Sequence, residues 1–240
     1  MALHFKRINM ERAMQTLHLP TVDSTQSYIK NHFQDLRSPI LVSTSKQDAG
    51  HGRRGSQWRH LENALAFSFT LEPNQTLTLT PLEIGCFLAK YFSPHLLLKW
   101  PNDLINTKGE KVGGIICQLV EGTIVAGVGI NLYVTEEERR DFNFPYPVGG
   151  IFEEKQEWQS DFTSTLPCEI YKSLLTKRMD EKIIQEEFKK YCFHLDQQVT
   201  ITDHQNSSQG KFIGISTFGE ALLETEGAIQ KVLTGSLRPS

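Results

Sequence analysis

Four short apolar stretches follow one another between Leu96 and Leu132: Leu96–Trp100, Leu104-Ile105, Val112–Val120 and Thr123–Leu132. The last three are joined by Asn106-Thr107-Lys108-Gly109 and Glu121-Gly122. Asn and Gly accept the backbone angles that tight hairpin loops require. Successive hairpins make neighbouring strands antiparallel. The stretch therefore predicts a mostly antiparallel or mixed sheet and disfavours a doubly wound nucleotide fold.

Further elements flank this sheet. Ile40-Leu41-Val42 reads as a buried strand, and Leu65–Leu71 ends in the apolar–polar alternation of a strand. Asp23-Ser24-Thr25 offers N-cap chemistry to a short helix over Gln26–Phe33. A second helix starts with Thr80 as N-cap, Pro81 at the first turn and Glu83 closing a capping box, and Pro94 stops it. Cys168–Phe193 carries one apolar helical stripe. Beyond it the period changes. Val199–Thr202, Lys211–Thr217, Ala221–Glu224 and Ile229–Leu233 are short strands with Gly- or Asn-marked turns, the pattern of a small β-barrel or meander. The expectation is an α+β chain with a domain over residues 1–195 and a small one over 196–240. Residues 1–20 and 135–162 suggest no regular element, the latter because of Pro145 and Pro147.

Composition narrows the functions. The hydrophobic fraction of 39% can build a core, and the charge sum of 25 − 28 = −3 leaves no overall basic surface for nucleic acid. The longest stretch free of Asp, Glu, Lys and Arg, Gly122–Thr135, contains three Gly, two Thr and an Asn, so no membrane span is expected. The first fifteen residues lack a signal-peptide core. Cys86, Cys117, Cys168 and Cys192 form no C-x-x-C pair, which fits free thiols in a reducing cytoplasm.

Four segments could carry chemistry. Gln47–Trp58 holds three glycines within Gly50–Gly55, the adjacent Arg53 and Arg54, and Trp58. Glycine lets a backbone approach a ligand, and guanidinium forks suit phosphate oxygens. An ordinary surface loop explains this composition equally well. Lys99-Trp100-Pro101-Asn102-Asp103 breaks a strand at Pro101; Asp103 could hold Mg²⁺ or a ribose, or Asn102 and Asp103 could merely complete a turn. Lys111-Val112-Gly113-Gly114 opens a strand where something packs on the backbone, or where a bulge leaves Lys111 exposed. Gly127-Val128-Gly129-Ile130-Asn131 clears one strand face with alternate glycines. Asn131 could read a purine edge, or the glycines could serve tight packing alone. No Ser-His-Asp set, carboxylate pair or metal-spaced His/Cys cluster stands out.

Taken in order, these segments resemble the catalytic core of biotin–protein ligases. Asp-Ser-Thr at 23–25, GHGRRGSQW at 50–58, KWPNDL at 99–104, KVGGI at 111–115 and GVGINL at 127–132 match the family's motifs. GKFIGISTFGEALLE at 210–224 and SLR at 236–238 are similar to its C-terminal domain. The resemblance implies a class II synthetase-like catalytic domain, with a mixed or antiparallel sheet flanked by helices, and a small SH3-like barrel. It implies that biotin and MgATP form biotinyl-5′-AMP, and that a lysine of a biotin carboxyl carrier protein, expected to belong to acetyl-CoA carboxylase, then takes the biotin. It implies biotin contacts from Ser24, Thr25, Gln47, His51, Gly52, Arg53, Lys111 and Gly114. Arg53, Arg54, Trp58, Asn102, Asp103, Gly129, Asn131 and Arg238 would serve ATP and the adenylate, and Asp103 the metal. Arg53, Arg54 and Lys111 would be catalytic, and the glycine loop would close over the ligand.

Two departures, His51 and Ser56, stand where the family often has Arg, or Arg or Asn. Arg59–Asn63 also replaces the usual Gly-containing return. About 20 residues precede the first motif, so a DNA-binding repressor domain is not expected. A homodimer could form through Ile116–Leu119 or Thr123–Val125. The rival readings are a lipoate or octanoate ligase or transferase of the same fold, and a non-catalytic nucleotide-binding adaptor.

Overall fold

The computed structural model describes residues 14–141, 147–203 and 206–240, and not the side chain of Arg54. The expectations for residues 1–13 and for Pro145 lie outside the described residues.

In chain order the elements are β1 (Gln15–Val22), α1 (Thr25–Asn31), β2 (Ile40–Gln47), β3 (Gly50–His51), β4 (Gln57–Trp58), β5 (Ala64–Leu71), α2 (Thr80–Tyr91), β6 (Leu96–Lys99), β7 (Asp103–Asn106), β8 (Lys111–Val120) and β9 (Thr123–Asn131). There follow α3 (Glu136–Asp141), α4 (Phe162–Thr176), α5 (Glu181–Tyr191), β10 (Gln198–Thr202), β11 (Ser207–Ile215), β12 (Ala221–Thr225), β13 (Ala228–Val232) and β14 (Ser236–Pro239). The large sheet runs β1-β2-β5-β9-β8-β7-β6. Its pairs are antiparallel except β1 with β2, so the sheet is mixed and the fold is α+β.

The two-residue period of the strands divides this sheet into two faces. On β2, Leu41 joins the main core while Ile40 and Val42 join a smaller cluster around Ile29 of α1. On β9, Ile124, Ala126, Val128 and Ile130 face the main core, and Val125 faces the cluster of α1. Helices α2, α4 and α5 cover the main-core face. Fully buried Phe67, Phe69, Tyr171 and Phe188 lie there, and burial of such a side chain contributes roughly 1.5–3 kcal/mol. The α1 face carries Ser68, Gly127, Gly129 and Asn131, where functional groups sit.

The second sheet, β13-β12-β11-β10-β14, is wholly antiparallel. It has five strands, and no ladder joins β13 to β14 among the described residues. Phe212 packs on Phe188 of α5, and the buried Trp100 indole donates to the Gly219 carbonyl at 3.0 Å. The small sheet is thus fastened to the Lys99–Asp103 segment.

Several expectations are corrected. Residues 15–22 form a strand although Pro20 breaks their pattern. The strand is at the sheet edge, where a proline is tolerated, and its register passes from Leu19↔Thr44 to Thr21↔Lys46 without pairing Pro20. Thr80 is not the N-cap of α2. Leu79 occupies that position, Thr80 Oγ1 accepts from the Asn74 N–H, and Glu83 turns to Arg178 instead of closing a capping box. The helical character of Cys168–Phe193 is divided between α4 and α5. The chain breaks at Lys177–Asp180, where Met179 N–H donates to Glu83 and the Asp180 carboxylate caps α5 through Ile183 N–H at 2.9 Å. The first of the two helices starts six residues earlier than expected and accommodates Pro167 inside it. Residues 136–141 form α3, and 147–152 form a strap described below.

Candidate functional site

A cavity of about 420 Å³ opens on the α1 face of the large sheet, within the usual range for small-ligand sites. Ser24, Thr25, Gln47, His51, Gly52, Arg53 and Trp58 line it from the N-terminal half. Asn102, Asp103, Lys111, Gly114, Gly129 and Asn131 line it from β7, β8 and β9, and Arg238 reaches it from β14. Of the residues singled out in the sequence, only Arg54 lacks a described side chain.

At one end the start of α1 meets β2 and β5. Ser24 caps the helix by accepting from Ser27 N–H at 3.3 Å. Thr25 donates from its backbone N–H (3.0 Å) and its hydroxyl (3.3 Å) to Gln47 Oε1, and its hydroxyl lies 2.8 Å from Ser68 Oγ. Gln26, which the sequence did not single out, donates to the carbonyls of Ile116 and Val125 across β8 and β9. Ser68 was also missed. Its small polar side chain reads only as strand alternation, and Gln26 reads only as a helix residue.

The glycine loop is a small hairpin, β3 against β4, around one turn at Arg53–Gly55. Ser56 holds that turn. Its hydroxyl and its N–H both donate to the Arg53 carbonyl, and its carbonyl accepts from Gly52 N–H at 2.6 Å. A Cβ on Gly52 would fall 2.1 Å from Ser56 Oγ, so a serine at 56 is matched to this tight return. Arg53 Nη1 donates to Asn102 Oδ1 at 2.9 Å, and Asn102 Nδ2 donates to the Ile115 carbonyl. The loop arginine is thereby tied to the segment between β6 and β7.

Gly129 has a specific purpose. A Cβ there would lie 2.6 Å from Trp58 Cε2, so the absence of a side chain lets the indole lie directly on β9. Trp58 Nε1 and Asn131 Oδ1 are both buried with no hydrogen-bond partner. An orphaned donor and an orphaned acceptor in one cavity are the mark of a site that a ligand completes. The Asn131 amide is oriented by its other end, since Nδ2 donates to the Gly149 carbonyl.

Lys111 Nζ is 2.6 Å from Asp103 Oδ1, and Lys99 Nζ is 3.4 Å from Asp103 Oδ2. Both carboxylate oxygens thus face ammonium groups. Among the described residues no three His, Cys, Asp or Glu side chains gather as a metal site. In this arrangement Asp103 is engaged by two lysines, which leaves it a weak ligand for a resident Mg²⁺ on its own. A carboxylate already shared by two cations draws a divalent ion poorly.

The return of the loop carries a titratable group. Burial holds the His60 imidazole below its ordinary value, against smaller raising contributions from the Ser45 backbone and Asp48. Burial acts in the same direction on His18 and His194. Below a pH of about 6.5 the unfolded chain takes up protons that the folded rings resist, so stability is lost as pH falls. Replacing His60 with Gln is expected to flatten the fall in melting temperature between about pH 7.5 and 5.5. An unchanged slope would place the sensitivity elsewhere.

With this geometry in view, comparisons with known proteins converge. The family model described as "Biotin/lipoate A/B protein ligase family" matches residues 19–134, and "Biotin protein ligase C terminal domain" matches residues 194–236. The chain belongs to the biotin protein ligase family. It is 28% identical over 236 residues to the bifunctional ligase/repressor BirA of Salmonella typhimurium, covering 91% of this chain and 72% of that protein. It is 29% identical over 128 residues to the biotin–[acetyl-CoA-carboxylase] ligase of Paracoccus denitrificans, covering 48% and 53% respectively. A structure of the Aquifex aeolicus biotin protein ligase in complex with biotin and ATP superposes with a TM-score of 0.74 at 27% identity, over 94% of this chain and 99% of that one.

Proposed function

We propose that this chain is an ATP-dependent biotin–protein ligase that forms biotinyl-5′-AMP and passes the biotin to a lysine of a biotin carboxyl carrier protein, that of acetyl-CoA carboxylase. The observation that carries this reading is the convergence of Thr25, Gln47, Arg53, Lys111 and Asn131 on one cavity in a chain of this family. The acid and ATP are both anions, so their encounter needs fixed positive charge that does not reorganise. Arg53, Lys99, Lys111 and Arg238 line the cavity and supply it.

The polar set Ser24, Thr25 and Gln47, with the main chain at His51–Arg53 and Gly114, would bind biotin. Lys111 would meet its carboxylate and hold the acyl oxygen as the oxygen attacks the α-phosphorus and pyrophosphate leaves. Arg53 and Arg54 would face the phosphates. Asn102 and Asp103 would lie on the nucleotide side, and Trp58, Gly129 and Asn131 would enclose the adenine, with the Asn131 oxygen accepting from its exocyclic amine. Any Mg²⁺ would arrive chelated by the ATP phosphates. The acceptor lysine then attacks the acyl carbon, and AMP leaves.

Biotin-dependent pyrophosphate–ATP exchange tests this directly. Exchange with biotin supports it. Exchange only with lipoate or octanoate would transfer the fold to the rival substrate, and exchange with no acid would favour the adaptor.

A division into residues 1–195 and 196–240 is supported by the start of the second sheet at Gln198. Action in a reducing cytoplasm is supported by four free cysteines, and no described helix is long and apolar enough to cross a membrane. A ligase without DNA binding is consistent with the net charge of −3; retention of operator DNA on filters would overturn it. A homodimer through the exposed half of β8, where Leu119 is exposed, would appear as a doubled mass in sedimentation.

A further inference from the structure

The strap at Pro147–Phe152 carries polar groups that the reaction scheme leaves unexplained. It is stitched to the site by its backbone. Lys111 N–H donates to the Pro147 carbonyl, Gly149 N–H to the Lys111 carbonyl, and Ile151 N–H to the Asn131 carbonyl, at 2.9–3.0 Å. Two side chains clamp it from behind. Arg139 Nη1 donates to Glu110 Oε1 at 2.9 Å and to the Val148 carbonyl at 3.1 Å, and its Nε lies 4.0 Å from Glu136 Oε1. Asn106 Nδ2 donates to Glu110 Oε2 at 2.7 Å and to the Gly150 carbonyl at 3.1 Å. The fit is tight. A Cβ on Gly149 would lie 2.3 Å from Glu110 Oε2, and one on Gly150 would lie 2.7 Å from Tyr133 Cα.

The product of this clamp is one fixed carbonyl. Gly149 O accepts from Asn131 Nδ2, which turns the other end of that amide, the buried and unpartnered Oδ1, toward the ligand. An amide that could flip would offer either a donor or an acceptor. One held at Nδ2 offers only the acceptor.

We infer that the Arg139–Glu110 pair, with Asn106, is a positioning device for base selection: by fixing the Gly149 carbonyl it holds Asn131 as an acceptor and so selects a purine with an amino group at C6. Neither Arg139 nor Glu110 lines the cavity, so both act through Asn131. Adenine donates to that oxygen, whereas hypoxanthine and guanine would set an acceptor against it. A purine with hydrogen at C6 would leave it unpaired. This inference rests on the adenylating reading above and deepens it.

The test compares ATP with purine riboside 5′-triphosphate and with ITP in biotin-dependent pyrophosphate exchange, for wild type, Arg139→Met and Glu110→Gln. Wild type should prefer ATP over the C6-hydrogen analogue by roughly 5- to 100-fold, the effect of leaving one buried acceptor unpaired. In the variants that preference should fall to within about threefold, with the KM for ATP raised, as expected for a lost hydrogen bond to the base. A structural role alone would lower activity toward all three nucleotides in proportion. Should Arg139→Met fail to fold, Glu110→Gln removes one acceptor while keeping the shape and answers the same question. An unchanged nucleotide preference in a folded variant overturns the inference, as does a wild type that exchanges with biotin yet does not discriminate. A wild type with no biotin-dependent exchange overturns the parent reading instead.

Discussion

Replacing Lys111 with alanine is expected to reduce biotin-dependent pyrophosphate–ATP exchange by about 10²–10³-fold, the usual effect of removing one charged or hydrogen-bonding group from a site where negative charge develops. The lysine sits at the first residue of β8, and two backbone bonds to the strap fix its main chain. Its ammonium contacts Asp103 at 2.6 Å, and Asp103 has Lys99 on its other oxygen. The carboxylate shared between the two lysines therefore holds the Lys111 ammonium in place. The loss should fall on kcat more than on the KM for ATP, because the group acts where the acyl oxygen forms. Lys111→Arg should recover little, since a planar fork does not replace a compact ammonium at one oxygen. Exchange within tenfold of wild type in Lys111→Ala would remove Lys111 from the chemistry and leave Arg53 and Arg238 as the candidate cations.

The parts of this site that were legible in the sequence share a physical origin. Gly127, Gly129 and Asn131 alternate with Val128 and Ile130, and a strand converts that alternation into one packed face and one cleared face. Hairpin chemistry at Glu121-Gly122 is likewise local, and both residues adopt positive φ in the structure. The lining residues Gln26, Ser68 and Val148 were not legible, because each owes its place to distant elements. Gln26 crosses two strands ninety or more residues away, and Val148 belongs to a strap held by Arg139 and Asn106.

The same reasoning accounts for the misplaced elements. β1 was invisible because an edge strand need satisfy only one neighbour and can therefore contain Pro20. The capping box at Thr80–Glu83 failed for a different reason. Local propensity offered Glu83 a backbone partner, but a buried carboxylate gains more from a guanidinium than from one N–H, and Arg178 is within reach. The contact that prevailed is separated by 95 residues in the chain. It also explains the break between α4 and α5, since Arg178 and Met179 must leave the helix to reach Glu83.

That contact makes a large stability effect expected of a single change. Glu83 is 0% exposed, and Arg178 grips both of its oxygens at 2.8 Å while Met179 N–H donates to Oε1. Arg178→Ala leaves a buried carboxylate with one backbone donor and one long contact from Asn74 at 3.5 Å. Removing one member of such a pair destabilises by about 3–5 kcal/mol. For a chain of this size that corresponds to a fall in melting temperature of roughly 6–20 °C. Glu83→Gln should be milder. It keeps an acceptor for Met179 N–H, and it frees an arginine that is already 30% exposed and can turn to water. The asymmetry is the diagnostic feature: the guanidinium can be rehydrated and the carboxylate cannot. Circular-dichroism melts of the two variants decide the matter. A drop of under about 2 °C in Arg178→Ala, or a larger loss in Glu83→Gln than in Arg178→Ala, would mean that the pair contributes no more than a surface salt bridge.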